Sequence, residues 1–194
     1  MKLTFNSPVV LIFSAICGVV SILSSVDLDM NLFVLRPNWE ISNPSWYFRI
    51  FSHSMGHANM EHLMGNLAFI LLLGPIVEEK YGSKNLAIMM FTTAVLTGLI
   101  HTLFFNVGLL GASGIVFMLI LLVSLVNFNS KEIPLTFILI VIVYIGKEVI
   151  GTFSEDQVAH STHIIGGIIG AVFGFIFSNK KGTKRKNSGT IDIL

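Results

Sequence analysis

Apolar residues run in six long blocks along this chain, at about 8–26, 62–81, 86–105, 113–127, 134–152 and 160–177, and polar residues gather between them. Blocks of this length with little internal charge predict helices that cross a bilayer, because a span needs roughly 20 apolar residues at 1.5 Å of rise each. No block alternates with the period of two that marks a half-buried strand. The expected fold is an all-α membrane protein, a bundle of six transmembrane helices. The first block has Lys2 before it and Ser24 and Ser25 after it. Those flanks also suit a cleaved leader, but its length favours a retained first helix.

The stretch between the first two blocks, residues 27–60, has a different texture. Asp27, Asp29, Arg36, Glu40 and Arg49 alternate there with Trp39, Trp46, Tyr47, Phe48 and Phe51, punctuated by Pro37 and Pro44. Aromatic rings beside charges suit the water–lipid boundary. The stretch is too long for a simple connector and predicts a structured interfacial loop with short helices.

Composition narrows the reading. Hydrophobic residues make up 53% of the 194, charged residues 12%, and mean hydropathy is +0.80. That charge is about half of what a soluble domain carries. The expected organisation is one helical domain, 1–178, followed by a basic tail, 179–194. A net charge of +1 gives no reason to expect a nucleic-acid partner. The single cysteine, Cys17, lies inside an apolar block and reads as a packing residue. No Cys/His spacing suits zinc and no glycine-rich phosphate loop follows a strand, so no metal or organic cofactor is implied.

Charge also orients the spans. With six crossings both termini lie on one side, and that side collects all of the 12 Lys and Arg except Arg36, Arg49 and Lys147. Basic loops stay cytoplasmic, so both termini are expected inside. Ser113, His62 and His163 then begin three different helices at the outer side. A packing role for each residue would not require that coincidence of depth.

Those residue types carry chemistry. Ser113 sits between Gly111 and Gly114 at the mouth of the fourth block. Small residues there suit helix packing, and they also suit a nucleophile whose neighbours let a substrate backbone approach. A serine hydroxyl needs a base, and histidine is the usual one because its pKa lies near working pH. His163 leads a stripe of Gly166, Gly170 and Gly174, which lets two helices close on each other and brings the histidine toward Ser113. His62 and Asn66, four apart, share a face and can donate hydrogen bonds to an oxyanion together with the Ser113 backbone N–H. Alternatively they make an interhelical polar contact. His57, and with less reason His53, would buttress the loop before His62. His160 is the other candidate base, but lies further out. His101 reads as a helix-end polar residue. No carboxylate is placed to orient His163, so the set describes a Ser–His dyad.

The ordered motifs His57-x4-His62-x3-Asn66, Gly111-x-Ser113-Gly114 and Ala159-His160-x-x-His163-x-x-Gly166-x3-Gly170 resemble those of the rhomboid intramembrane serine proteases. Gly74-x-x-Val77-Glu78 and Gly82-Ser83 fit the same pattern, and the likeness covers about residues 45–178. It implies a six-helix bundle with Ser113 as nucleophile, His163 as general base, and His62, Asn66 and the Ser113 amide as oxyanion hole. It also places Gly111 beside that site and packs Gly166 and Gly170 of the sixth helix on the fourth. The resemblance further implies a water-filled cavity open to the outer side. Lateral access is expected beside 141–158, where Lys147 and Glu148 are unusual polar members. The implied partners are membrane lipid and single-span transmembrane protein substrates, cut in or near the span, usually after a small residue. The simple form suggests a bacterial-type cell membrane. A non-catalytic relative that binds transmembrane segments is the alternative, though such a protein should have lost Ser113 or His163. A transporter would predict charges paired across the midplane or broken helices, and the sequence has few deep charges and no inverted repeat.

Overall fold

The computed structural model describes residues 5–26, 29–37, 39–125, 133–145 and 157–179. Among them the chain forms α1 (Pro8–Ser25), α2 (Pro44–Ser52), α3 (Met60–Tyr81), α4 (Ser83–Phe104), α5 (Ser113–Ser124), α6 (Leu135–Ile140) and α7 (Gln157–Asn179). The only pairing of extended backbone among these residues is an isolated antiparallel bridge between Leu35 and Leu109. Helices α3 and α4 are each long and apolar enough to cross a bilayer. Helices α1, α5 and α7 are apolar over shorter described stretches. The fifth apolar block is helical through α6 and a following π-helical turn, Val141–Ile145. Lys147, Glu148, the acidic residues Glu155 and Asp156, and the basic stretch from 180 lie outside the described residues.

Local chemistry fixes where helices start and stop. Pro8 opens α1 and Pro44 opens α2 at positions where a missing N–H costs nothing. Asn59 caps α3 by accepting from the His62 N–H at 2.8 Å. Gly82, at φ +83°, ends α3 and leads straight into α4. Helix α7 begins at Gln157, three residues before the start expected at His160.

The bundle is apolar outside and partly polar inside. On α4 the rings and alkyl chains of Ile88, Phe91 and Leu103 face outward, while Thr93, Thr97, His101 and Thr102 are buried. This arrangement suits a protein bathed in hydrocarbon, where packing and internal hydrogen bonds hold helices together. Helix α5 is the centre: every residue from Gly114 to Leu122 is buried. Helix α1 belongs to the same core through Val10, Phe13 and Cys17, with Val20 buried further along its length.

One carboxylate ties α1 to α3. Glu78, 4% exposed, accepts from the N–H groups of Val9 and Val10, each at 3.1 Å. These are first-turn donors of α1 that no intrahelical carbonyl can reach, and the negative charge also complements the helix dipole. Replacing Glu78 with Ala strands both donors and should cost roughly 1–3 kcal/mol or more. Thermal unfolding in detergent is expected to drop clearly for Glu78→Ala. Glu78→Gln, which keeps one acceptor oxygen, should fall between the two.

Candidate active site

Ser113 is the first residue of α5, preceded by a glycine that no other residue could replace without strain. Gly111 has φ +122°, and a side chain there would also strike the His62 ring, with a Cβ only 2.7 Å from Cε1. The turn therefore delivers Ser113 to the helix N-terminus with the imidazole of His62 packed against Gly111. The first N–H groups of α5 have no intrahelical acceptors, and the positive end of its dipole lies at Ser113.

Helix α7 reaches the same point because its glycines remove every atom between it and α5. A Cβ on Gly166 would land on the Gly114 backbone, and one on Gly170 on the Met118 backbone. Farther along, Gly174 meets the Leu125 side chain. The α5–α7 contact is the most extensive between any two elements described. It carries Thr162 against Gly114 and leaves the His163 ring stacked flat on Phe117, with centroids 4.2 Å apart and planes 6° from parallel. That stacking fixes the plane of the imidazole. His160 also falls on α7.

Helix α3 supplies the third wall. His62 and Asn66 line a cavity of about 640 Å³ together with Ser113, Phe117 and His163. Asn66 is buried, and its Nδ2 has no hydrogen-bond partner among the described residues. The His57 ring meets the His62 ring edge to face at 5.1 Å, and its Nδ1–H donates to the Met55 carbonyl at 3.2 Å. So the four chemistry-bearing residues expected from sequence share one cavity, and His57 backs one of them.

The segment ahead of Ser113 is held more firmly than its sequence suggests. Leu35 and Leu109 exchange two backbone hydrogen bonds of 2.9 Å, and the Gly111 N–H donates to the His53 carbonyl at 2.9 Å. His101, read from sequence as a helix-end polar residue, does sit in the last turn of α4, but it is buried and employed. Its Nε2–H donates to the Val107 carbonyl at 2.8 Å, and its ring stacks on Phe105 at 5.2 Å. His53 in turn donates from Nε2 to the Ala94 carbonyl at 3.1 Å. Long-range contacts of this kind leave no periodic trace, and only the oddity of a histidine in an apolar block marks His101.

Burial pushes the pKa of His53 down to about 4. It does the same for His57, to about 4, with the neighbouring His62 adding to the shift. Both rings are neutral in the folded protein at pH 7.

The fold and the site define a helical membrane bundle that places a serine, two histidines and an asparagine around one cavity. The rhomboid domain profile matches residues 44–180, and the chain belongs to the rhomboid family; it is accordingly an integral membrane protein. It is 25% identical over 185 residues to the Rhomboid protease GlpG of Haemophilus influenzae, covering 93% of this chain and 94% of that one. It is 28% identical over 151 residues to Rhomboid-like protein 11, chloroplastic, of Arabidopsis thaliana, covering 70% of this chain and 54% of that protein. It is 30% identical over 157 residues to Rhomboid-related protein 1 of Caenorhabditis elegans, covering 75% and 43%.

Two outcomes are expected. Gly111→Ala forces a left-handed backbone on a residue with a Cβ and drives that atom into His62, a cost of roughly 1–3 kcal/mol that differential scanning fluorimetry in detergent will read as a lower melting temperature. Acidification acts through His53 and His57. Unfolded, both protonate near pH 6.5; folded, both resist protonation until about pH 4. The unfolded state therefore binds more protons in that window, and stability falls as pH drops from about 6.5 to about 4. Melting temperatures should be flat above pH 7 and decline below pH 6.5, with a shallower decline for His57→Gln.

Proposed function

We propose that this protein is an intramembrane serine endopeptidase that cleaves transmembrane segments of single-span membrane proteins by a Ser113–His163 dyad. The observation that carries this reading is the common cavity: Ser113, His163, His62 and Asn66 come from three helices and line one space. In the proposed cycle His163 takes the Ser113 proton as the hydroxyl oxygen attacks the scissile carbonyl. The oxyanion that forms is met by the Ser113 N–H, the Asn66 amide and the His62 ring. His163 then gives its proton to the leaving amine, and water hydrolyses the acyl-enzyme by the same base.

The short central helix supports placing this chemistry inside the membrane. The 12 residues of α5 extend about 18 Å, against a hydrocarbon layer of about 30 Å. A helix that short leaves at least one end below the surface; in this reading it is the serine end, where the polar groups of the cavity give water a reason to follow. In this reading α1, α3, α4, α5, the α6 region and α7 are the six spans. The termini are cytoplasmic and the cavity opens to the outer side, as the distribution of Lys and Arg favours. A substrate span must unwind to expose a carbonyl, so helix-breaking residues near the cut site should favour cleavage.

The test is cleavage of a labelled single-span substrate in liposomes, with fluorophosphonate labelling as a second readout. Ser113→Ala should lose both. His163→Ala should lose cleavage by at least a thousandfold, since the pair acts as a unit. Asn66→Ala should fold normally and lose roughly a hundredfold in kcat, the size of one lost oxyanion donor. Cleavage that survives in purified Ser113→Ala would overturn the dyad. Wild-type protein that binds membrane segments yet neither cleaves nor labels would instead be a non-catalytic relative.

A further inference from the structure

Arg36 and Arg49 are two of the three cations that the basic-inside pattern leaves on the other side, and they meet in one cavity. This cavity, about 550 Å³, lies in the interfacial segment, away from Ser113, and is lined by Arg36, Trp39, Glu40, Ile41, Asn43 and Arg49 among others. Its floor is built. Arg49, 7% exposed, donates from Nε to the Asn31 carbonyl at 2.6 Å and pairs with Glu40 at 3.3 Å. Asn43 Nδ2 donates to the same Glu40 oxygen at 2.8 Å, and Arg36 donates to the Asn31 side chain at 2.6 Å.

The charges around the cavity balance. Against the two arginines stand Glu40 and the nearby Asp29, whose carboxyl is held low first by its hydrogen bonds to Asn31 and then by the two guanidinium groups. A purely anionic ligand gains little from such a cluster, and a metal cation is repelled by its arginines. A ligand that carries both signs matches it. The Arg49–Glu40 contact is longer than the about 2.7–2.9 Å of a close charge-assisted bond, and its Glu40 oxygen also takes the Asn43 bond. The rim is different in kind: Trp39 and Ile41 line the cavity yet are 46% and 59% exposed. Exposed aromatic and alkyl groups around a polar, ionic floor describe the headgroup–acyl boundary of a bilayer.

We propose that this cavity binds the zwitterionic headgroup of a phosphatidylethanolamine-type membrane lipid. The phosphodiester lies against the Arg36 and Arg49 guanidinium groups, the ammonium faces Glu40 and the Trp39 ring, and the acyl chains leave past Ile41. The bound lipid would tie the interfacial segment, and through the Leu35–Leu109 bridge the loop ahead of Ser113, to the membrane surface.

Lipid binding is read without reference to proteolysis, so this proposal and the protease reading fail separately. Delipidated protein in detergent is titrated with phosphatidylethanolamine, phosphatidylglycerol, diacylglycerol and soluble glycerophosphoethanolamine, and followed by native mass spectrometry and thermal shift. Phosphatidylethanolamine should be retained and raise the melting temperature, whereas diacylglycerol and the soluble headgroup should not. Arg36→Gln changes an exposed side chain and should fold with an unaltered lipid-free melting temperature, yet lose about tenfold in lipid affinity, one charge-assisted contact. Glu40→Gln should narrow the preference for phosphatidylethanolamine over phosphatidylglycerol. Equal retention by wild type and Arg36→Gln would overturn the site. Equal binding of phosphatidylglycerol by the wild type would overturn the zwitterionic assignment. Binding of the soluble headgroup as tightly as the lipid would overturn the membrane source.

Discussion

Everything at the cavity depends on two helices touching backbone to backbone. Helix α7 lies so close to α5 that Gly166 and Gly170 have no room for a single additional carbon against Gly114 and Met118. In a bilayer, where lipid tails are as apolar as leucine, this closeness is itself the source of attraction: close packing replaces the missing hydrophobic drive. The same contact sets how close His163 comes to the mouth of α5. Thr162 rests on Gly114, the residue after Ser113, so the next residue, His163, is committed to the mouth of α5. Phe117, one turn further along α5, then holds the imidazole flat. One packing constraint thus serves both stability and alignment.

The opposite wall is organised by hydrogen bonds instead. The loop from α4 to α5 has no helix of its own and is held by the Leu35–Leu109 bridge, by the Gly111 N–H on His53, and by His101 on Val107. Its anchors come from the interfacial segment and from α4. That gives residues 29–57 a structural purpose: they brace the loop whose last turn presents Ser113. It also explains why buried histidines cluster there. A ring with one N–H can satisfy a loop carbonyl inside an apolar bundle without importing a charge, provided it stays neutral, and burial keeps His53 and His57 so.

The sequence was legible wherever chemistry repeats along a helix. His62 and Asn66 at a spacing of four, the glycines at 166, 170 and 174, and Ser113 between glycines each announced a face or a turn, and the structure gathers them. Helix boundaries were legible to within a few residues, with α7 starting at Gln157, where Val158 and Ala159 carry the helix back beyond His160. What stayed hidden is what pairs distant residues. Leu35 and Leu109 are two ordinary leucines until the fold sets them opposite each other. His101 looks like a helix end, and its partner Val107 offers only a carbonyl that every residue has. Likewise Glu78 reads as the polar exit of a span, while its work is to cap a helix nearly seventy positions earlier in the chain.

The polar groups at the cavity differ from those that pair within one helix. Some buried hydroxyls turn back on their own helix, as Thr93 does to Met89 and Thr102 to Gly98, while those of Ser14 and Thr97 have no partner among the described residues. Asn66 is buried too, its amide donates to no described residue, and it lines the cavity that Ser113 shares. An unmet buried donor costs about 1–3 kcal/mol, and a bundle built only for packing would gain by replacing it with an apolar side chain. Keeping it makes sense if a developing negative charge arrives there during a reaction. A donor already in place then stabilises that charge with little reorganisation. That waiting donor is the structural counterpart of the catalytic role proposed for Asn66, and it falls at the spot where α3, α5 and α7 meet around one cavity.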